Sequence, residues 1–350
     1  MPDIYLKVSM ERAMDWFERL TGFRETGYVE TRGKLRVEGP QLQSLINGRR
    51  FGIGELELVS LQALRERMKS AGGLPGRLKV GVVTGDVRHM HRLPENAGAL
   101  FQVASQFNLL EMTGPEVTPE NGVTIYQYDH TQGPACAIAA GAATIYRNYF
   151  APVGGSQGQT KDRQLDGLAD IGEVLSEALN QPVTALWEMR NGYALCTGAG
   201  LDAIARHLRA MQPEQVDILR SKLRIGVHSD VAVTDAEGEH RPLVSQAFCS
   251  ALPVAYSRLP SAGWKPFASL VLEAAYEATL LTAALNKRRG SSNVVLLTLL
   301  GGGAFGNEDD WIYAAIRRAL KLMSGFELDV RLVSYREPPP TIQKIVKEFS

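Results

Sequence analysis

The sequence predicts an α/β protein built on a mostly parallel sheet with helices on both faces. Three observations carry that expectation. Short apolar runs rich in strand formers, such as Leu78–Val83, Ala99–Ser105 and Val294–Leu300, alternate with stretches whose apolar residues recur at helical spacing. Several of these runs break straight into glycine or polar turns. One stretch, Asn293 to Met323, shows the whole unit. Its strand breaks into Gly301-Gly302-Gly303-Ala304-Phe305-Gly306-Asn307, and then Trp311, Ile312, Ala315, Ile316, Ala319, Leu320 and Met323 fall on one helical face.

Taken in order, residues 1–75 read as an α+β extension. Glu11–Leu20 has a helical pattern, Tyr28–Val37 and Glu55–Leu58 alternate like strands, Leu61–Met68 is helical, and Ala71–Gly76 is a breaker. Residues 76–350 form the main domain. Its strand Leu78–Val83 ends in Thr84-Gly85-Asp86, and Ala99–Ser105 ends in Gln106-Phe107-Asn108. Asp129-His130-Thr131-Gln132-Gly133-Pro134 then opens a small-residue helix to about Tyr149, Pro134 suiting a first turn. Residues 151–220 read as a mainly helical insertion, with helices near Leu165–Leu179 and Leu201–Met211 around a hairpin at Asn191-Gly192. Strands return at Leu223–Val227, Val231–Thr234 and Leu243–Leu252. A long helix (Phe267–Leu285), the glycine-loop unit and a last strand (Glu327–Tyr335) complete the chain.

Bulk properties exclude several classes. The 38 basic and 38 acidic side chains cancel, which argues against a nucleic-acid or anionic-membrane surface as the main partner. Cys136, Cys196 and Cys249 lie far apart in apolar runs, with no metal or redox spacing, so they read as core thiols of a reducing, cytoplasmic setting. The N-terminus lacks a signal-peptide layout, and runs such as Ala135–Tyr146 are too short to span a bilayer. No metal or redox cofactor is expected.

The glycine loop carries the chemistry. Unpaired amides converge where a strand meets a helix N-terminus, and glycines let an anion approach the backbone. A tight turn with an N-cap at Asn307 explains the same residues. Glu308, Asp309 and Asp310 fill the first helical turn and would repel a phosphate on the helix axis, so a diphosphate would lie over the loop amides. Gly301, Gly303 and Gly306 also fit G-x-G-x-x-G, but too little chain follows for a dinucleotide-binding domain. Ligands of such sheets bind at strand C-termini. Asp86, Gln106 to Asn108, Asp129 to Gly133 and Gly301 to Asn307 stand there, and together they suit an adenosine-diphosphate sugar.

These motifs in this order resemble a divergent macrodomain. Val103–Asn108, Thr131–Ala135, Tyr146–Tyr149 and Leu297–Asn307 are similar to a branch near the poly(ADP-ribose) glycohydrolases that includes the bacterial effector MavL. The resemblance implies a three-layer α/β/α mixed sheet that binds ADP-ribose. It implies that Asp86 contacts adenine, that Asn108 meets the distal ribose, and that Gly301, Gly302, Gly303, Ala304, Phe305 and Gly306 form the second diphosphate loop. The glycine loop of Thr131, Gln132 and Gly133 would share the diphosphate, and Gln106 and Asn307 complete the slot. It also favours arginine as the modified side chain, and a setting in the cytoplasm or, for a secreted effector, a host cytoplasm. The glycohydrolase signature of three glycines followed by Gln-Glu-Glu is absent, so the catalytic carboxylate is chosen from the residues themselves.

Cleavage of a ribosyl bond passes through an oxocarbenium-like state and needs a carboxylate to position water or donate a proton. Asp129, Asp230 and Glu111 are the candidates, each with a plainer reading as a turn cap, a turn or a surface ion pair. Asp162, Asp166 and Asp170 recur every fourth residue and suit a solvated helix face better than a cation. His130 beside Asp129 is the one histidine of interest. The function read from the sequence is an ADP-ribosylhydrolase acting on modified protein side chains. The alternatives are an ADP-ribose reader without turnover and an NAD-consuming enzyme using the same slot.

Overall fold

The computed structural model describes residues 13–71, 75–238 and 241–349. The start of the expected Glu11–Leu20 helix, residues 72–74 of the expected breaker and His240 lie outside them. Seven strands form one sheet: β1 (Glu55–Ser60), β2 (Lys79–Thr84), β3 (Leu100–Ala104), β4 (Arg224–Ala232), β5 (Leu243–Cys249), β6 (Val294–Leu297) and β7 (Asp329–Ser334). Their order across the sheet is β1-β4-β5-β3-β6-β7-β2. The five strands from β5 to β2 run parallel, whereas β4 is antiparallel to both β5 and β1. The sheet is therefore mixed, and the C-terminal ends of five neighbouring strands open on one edge.

Side chains alternate between the two faces with the period of two that a pleated strand imposes. Val295 and Leu297 join one core with the long helix Ser261–Arg288 and the helices Leu61–Ala71, Gly198–Ala210, Asp309–Leu322 and Pro340–Glu348. Val294 and Leu296 face the other way, into a core with Val87, Met90, Cys136, Ala140 and Ala143. Helices thus cover both faces, giving three layers. The helix Ser261–Arg288, 28 residues long, is apolar enough by composition to cross a membrane, but 83% of its apolar window is buried inside the protein, as a core helix requires. All three cysteines are buried and unpaired.

Several elements differ from expectation. Tyr28–Gly33 is a helix, and only Leu35–Glu38 is strand. Val37 lies in the short antiparallel sheet with Gln41–Ser44 and Arg50–Gly52. The small-residue helix is two helices, Gln132–Ala139 and Gly141–Tyr149, parted at Ala140. Gly141 packs on the Trp16 ring there, where a Cβ would come within 2.7 Å. The runs at 223–227 and 231–234 are one strand, β4, with a bulge between His228 and Val231 that puts Asp230 at φ 56°. The hairpin at Asn191-Gly192 forms as expected, pairing Trp187–Arg190 with Tyr193–Cys196, both turn residues having positive φ.

The N-terminal residues split in two. Glu55–Ser60 and Leu61–Ala71 supply an edge strand and a covering helix of the main sheet. Residues from Trp16 to Ile53 pack against the helix Gly141–Tyr149 and the segment 110–126 in a separate core. Of the insertion's helices, Gly198–Ala210 packs on the long helix and Ala169–Leu179 packs on Gly198–Ala210 in turn, so that Leu168, Ile171, Leu175, Leu201 and Ile204 join the same core.

Candidate active site

A cavity of about 140 Å³ sits at the C-terminal ends of β3, β5 and β6. Its floor is Glu111. The loop after β3 turns sharply, with Leu109 at φ 64°, and Gln106 fastens it. The Gln106 amide oxygen accepts from the Met112 N–H at 2.6 Å, and its amide nitrogen donates to the Met112 carbonyl and the Tyr193 hydroxyl. This turn drives Glu111 inward to full burial. Its carboxylate meets Arg147 Nη2 at 3.2 and 3.3 Å, and both side chains are completely shielded from solvent. Arg147 also donates to the Leu109 carbonyl and to Thr144 Oγ1, and its guanidinium lies 3.8 Å from the Phe248 ring centre. Burial pushes the Glu111 carboxyl up to about 7, against the opposing pull of Arg147. A carboxyl poised near neutrality can give or take a proton at working pH.

Asp129 lines the same cavity. It closes the short 3-10 helix Thr124–Tyr128, and its Oδ1 accepts from the Thr131 N–H at 2.8 Å. Tyr126 of that helix accepts from the Glu111 N–H through its hydroxyl, so the segments bearing the two carboxylates are tied together. Gln132 lines the cavity too, with its side-chain amide engaged by backbone. Its side chain accepts from the Ala104 N–H and donates to the Gln102 carbonyl, both at 2.8 Å, taking the place of a neighbouring strand beside the end of β3 where the β6 pairing has stopped. Gly133 allows the helix start to press on that edge, because a Cβ there would lie 1.9 Å from the Ala104 carbonyl oxygen and 3.2 Å from Glu111 Cγ.

The far wall is the glycine loop. Tyr276, from the long helix, accepts from the Leu300 N–H and donates to the Thr298 carbonyl, which fixes where β6 ends. The N–H groups of Gly301, Gly303, Ala304 and Phe305 meet no acceptor among the described residues. Four open amides on one short loop can hold an anion. Glu308, Asp309 and Asp310 start the following helix without lining the cavity. Phe305 packs with Tyr193 and Tyr256, ring centres 5.3 and 5.7 Å away, forming an aromatic flank.

The structure thus brings together Gln106, Glu111, Asp129, Thr131, Gln132, Gly133, Gly301, Gly303, Ala304 and Phe305. Other expected residues stand elsewhere. Asp86 lies at the end of β2 on the same edge but is exposed and caps the helix Val87–Arg92, accepting from Arg88 N at 2.8 Å, outside the cavity. Asn108 is fully buried, with its amide spent on Gln164 and the Leu110 N–H, so it braces the loop and does not reach the cavity. Asp230 is removed by topology: β4 runs against its neighbour β5, which carries Asp230 to the opposite edge, where it pairs with Arg289. Gly302 backs onto Ile312 and Gly306 onto Ala255. Asn307 is no N-cap, since Glu308 holds that position. The Asn307 amide instead clasps the loop by donating to the Leu252 carbonyl.

Asp162, Asp166 and Asp170 do not share a helix, because the helix starts at Ala169. Asp166 caps Leu168 and Asp170 pairs with Arg224. No cluster of three metal-binding side chains occurs among the described residues. His130 is exposed and outside the cavity. Sequence reasoning missed Arg147, Tyr193 and Tyr256. Arg147 had a signal: it is the single charge in the run from Ala135 to Tyr149, and a lone charge in an otherwise uncharged helix calls for a buried partner.

No family model and no curated protein matches the chain. Among solved structures it is similar to poly(ADP-ribose) glycohydrolase from Thermomonospora curvata, with 14% identity over 92% of this chain and 96% of that one and a TM-score of 0.44. It is also similar to the poly(ADP-ribose) glycohydrolase from Deinococcus radiodurans in complex with ADP-ribose, with 14% identity over 93% and 98% and a TM-score of 0.45. At this identity and score, the likeness leaves the chemistry to be argued from the chain's own residues.

Proposed function

We propose that the protein is an ADP-ribosylhydrolase that frees ADP-ribose from modified protein side chains. One observation carries the reading: Glu111, whose buried carboxyl is pushed up to about 7, lines the same cavity as a loop with four unclaimed amides. The amides suit the diphosphate and the aromatic flank suits a sugar or base face. The cavity of about 140 Å³ is smaller than the roughly 300 Å³ at which small-molecule sites begin, so it takes one end of the ligand while the rest lies along the loop.

In the reaction the bond from the distal ribose C1″ to the side-chain atom breaks as positive charge builds on the ring. Protonated Glu111 gives its proton to the leaving atom. Asp129 holds a water whose oxygen bonds to C1″ and takes up the proton that water loses. Arg147 keeps Glu111 in place and recovers its ion pair once the carboxylate forms. The linkage favoured by the sequence resemblance is arginine.

Calorimetric titration of ADP-ribose, with ADP and NAD as controls, tests the slot. Micromolar ADP-ribose binding, weaker for NAD, is the expected result, and no heat at millimolar ligand would sink the reading. A panel of peptides ADP-ribosylated on arginine, glutamate or serine then measures turnover. Binding without turnover on any of them would make the protein a reader, and nicotinamide release from NAD would make it a consumer of that cofactor.

A further inference from the structure

Glu25 lies outside the cavity, on the N-terminal segment, in the turn between the helices Trp16–Thr21 and Tyr28–Gly33. Its carboxylate reaches across to the chain about a hundred residues on. It accepts from the Val123 N–H at 2.8 and 2.9 Å, from the Thr124 N–H at 2.6 Å and from the Tyr149 hydroxyl at 2.7 Å. Val123 and Thr124 begin the 3-10 helix Thr124–Tyr128, which has no cap from its own side chains. A carboxylate there satisfies open amides and suits the positive end of the turn.

Both sides of this contact are shaped for it. Gly122 has φ 82°, and a Cβ on it would stand 2.4 Å from the Glu25 carboxylate. Phe23, two residues before Glu25, packs edge-on against Phe17 with ring centres 5.5 Å apart. Tyr28, three residues after it, packs at a tilt on Tyr149 with ring centres 4.7 Å apart and donates to the Asn148 carbonyl. The clamped helix then leads straight to the chemistry. Tyr126 accepts from the Glu111 N–H, and the Asp129 N–H is held by the Tyr126 carbonyl at 3.1 Å.

We propose that Glu25 is a positioning residue for the active site: by clamping the start of the 3-10 helix it sets Tyr126 and Asp129 against Glu111. The N-terminal segment is thereby part of the catalytic unit. This rests on the reading of the cavity given above. Displacements on the ångström scale suffice to cost about a hundredfold in rate, so a clamp one turn away matters to turnover without touching substrate.

The test uses the full chain with E25A, the isosteric E25Q, and G122A, which crowds the same carboxylate from the other side. On an ADP-ribosylated peptide, E25A is expected to lower kcat at least about tenfold. KM and ADP-ribose affinity should stay within about threefold, since the diphosphate loop is untouched. Added acetate should restore part of kcat in E25A and none in the wild type, which a general loss of fold would not allow. Wild-type kcat in E25Q or G122A would overturn the proposal, and these two variants decide it if E25A fails to fold. If the wild type neither binds ADP-ribose nor turns over, the cavity reading fails by itself. The clamp is then read from amide exchange at Val123, Thr124 and Glu111: faster exchange at all three in E25Q upholds it, and unchanged exchange at Glu111 overturns it.

Discussion

Glu111 is held by two opposing influences, full burial that disfavours its charge and a guanidinium that favours it, and the first prevails. Its pH behaviour follows with a definite sign. The group's ordinary value is 4.5 and its folded value is about 7, so the folded protein binds this proton more tightly than the unfolded chain. The stabilisation is fully present below about 4.5 and is lost as pH rises through about 7. In its proposed role of proton donor, Glu111 would lose activity over the same upper limb. Glu111→Gln should therefore reduce turnover by about 10²- to 10⁴-fold, keep ADP-ribose binding, and remove the limb near neutrality from what rate remains. A variant with an unchanged pH–rate profile would take Glu111 out of the chemistry. The residue was visible in the sequence as a carboxylate three positions after Asn108, but its plain reading was a surface pair. Burial was not legible because its partner Arg147 is supplied by a helix 36 residues on.

At the scale of elements, the strand–loop–helix unit was readable because strand, glycine loop and amphipathic helix lie in one continuous stretch. The break at Ala140 and the single bulged strand β4 were not, since both depend on remote partners: the Trp16 ring behind Gly141, and the β1 and β5 backbones flanking Asp230. The same reasoning separates the loop's glycines. Gly301 has φ 76° and would place a Cβ 2.5 Å from Ala251 Cβ, whereas Gly303 lacks a positive φ and a Cβ there meets no atom within 4 Å. Gly301→Ala should lower stability by about 1–3 kcal/mol, from strain and overpacking together. Gly303→Ala should leave stability within about 0.5 kcal/mol of wild type, yet weaken ADP-ribose binding about tenfold by obstructing the amides. Denaturant unfolding and calorimetry on the two variants measure both quantities. Equal stability losses would mean that Gly303 serves the fold and not a ligand.

Over the whole molecule, the sheet gathers five strand ends on one edge, and chain segments from 104 to 305 meet there. Alternation of strand and helix made the α/β class legible, but the direction of β4 was not, and that direction alone sends Asp230 to the wrong edge. The N-terminal residues from Trp16 to Ile53 share a core with the segment 110–150, and Glu55–Ser60 is an edge strand of the sheet. Removing residues 1–53 should leave no folded remainder, and the intact chain should unfold in one calorimetric transition. A soluble, cooperatively folding truncation would contradict that. The contrast between the two glycines also has a meaning for inheritance. Gly301 and Gly306 answer to the fold, with positive φ and with the Ala251 and Ala255 Cβ atoms 2.5 and 2.8 Å from where their own would stand, whereas neither strain nor a neighbour within 4 Å demands a glycine at 303. Under the proposed function, a lineage that gave up the ligand would keep the outer two and let the middle one drift first, so position 303 would register the loss before the fold did.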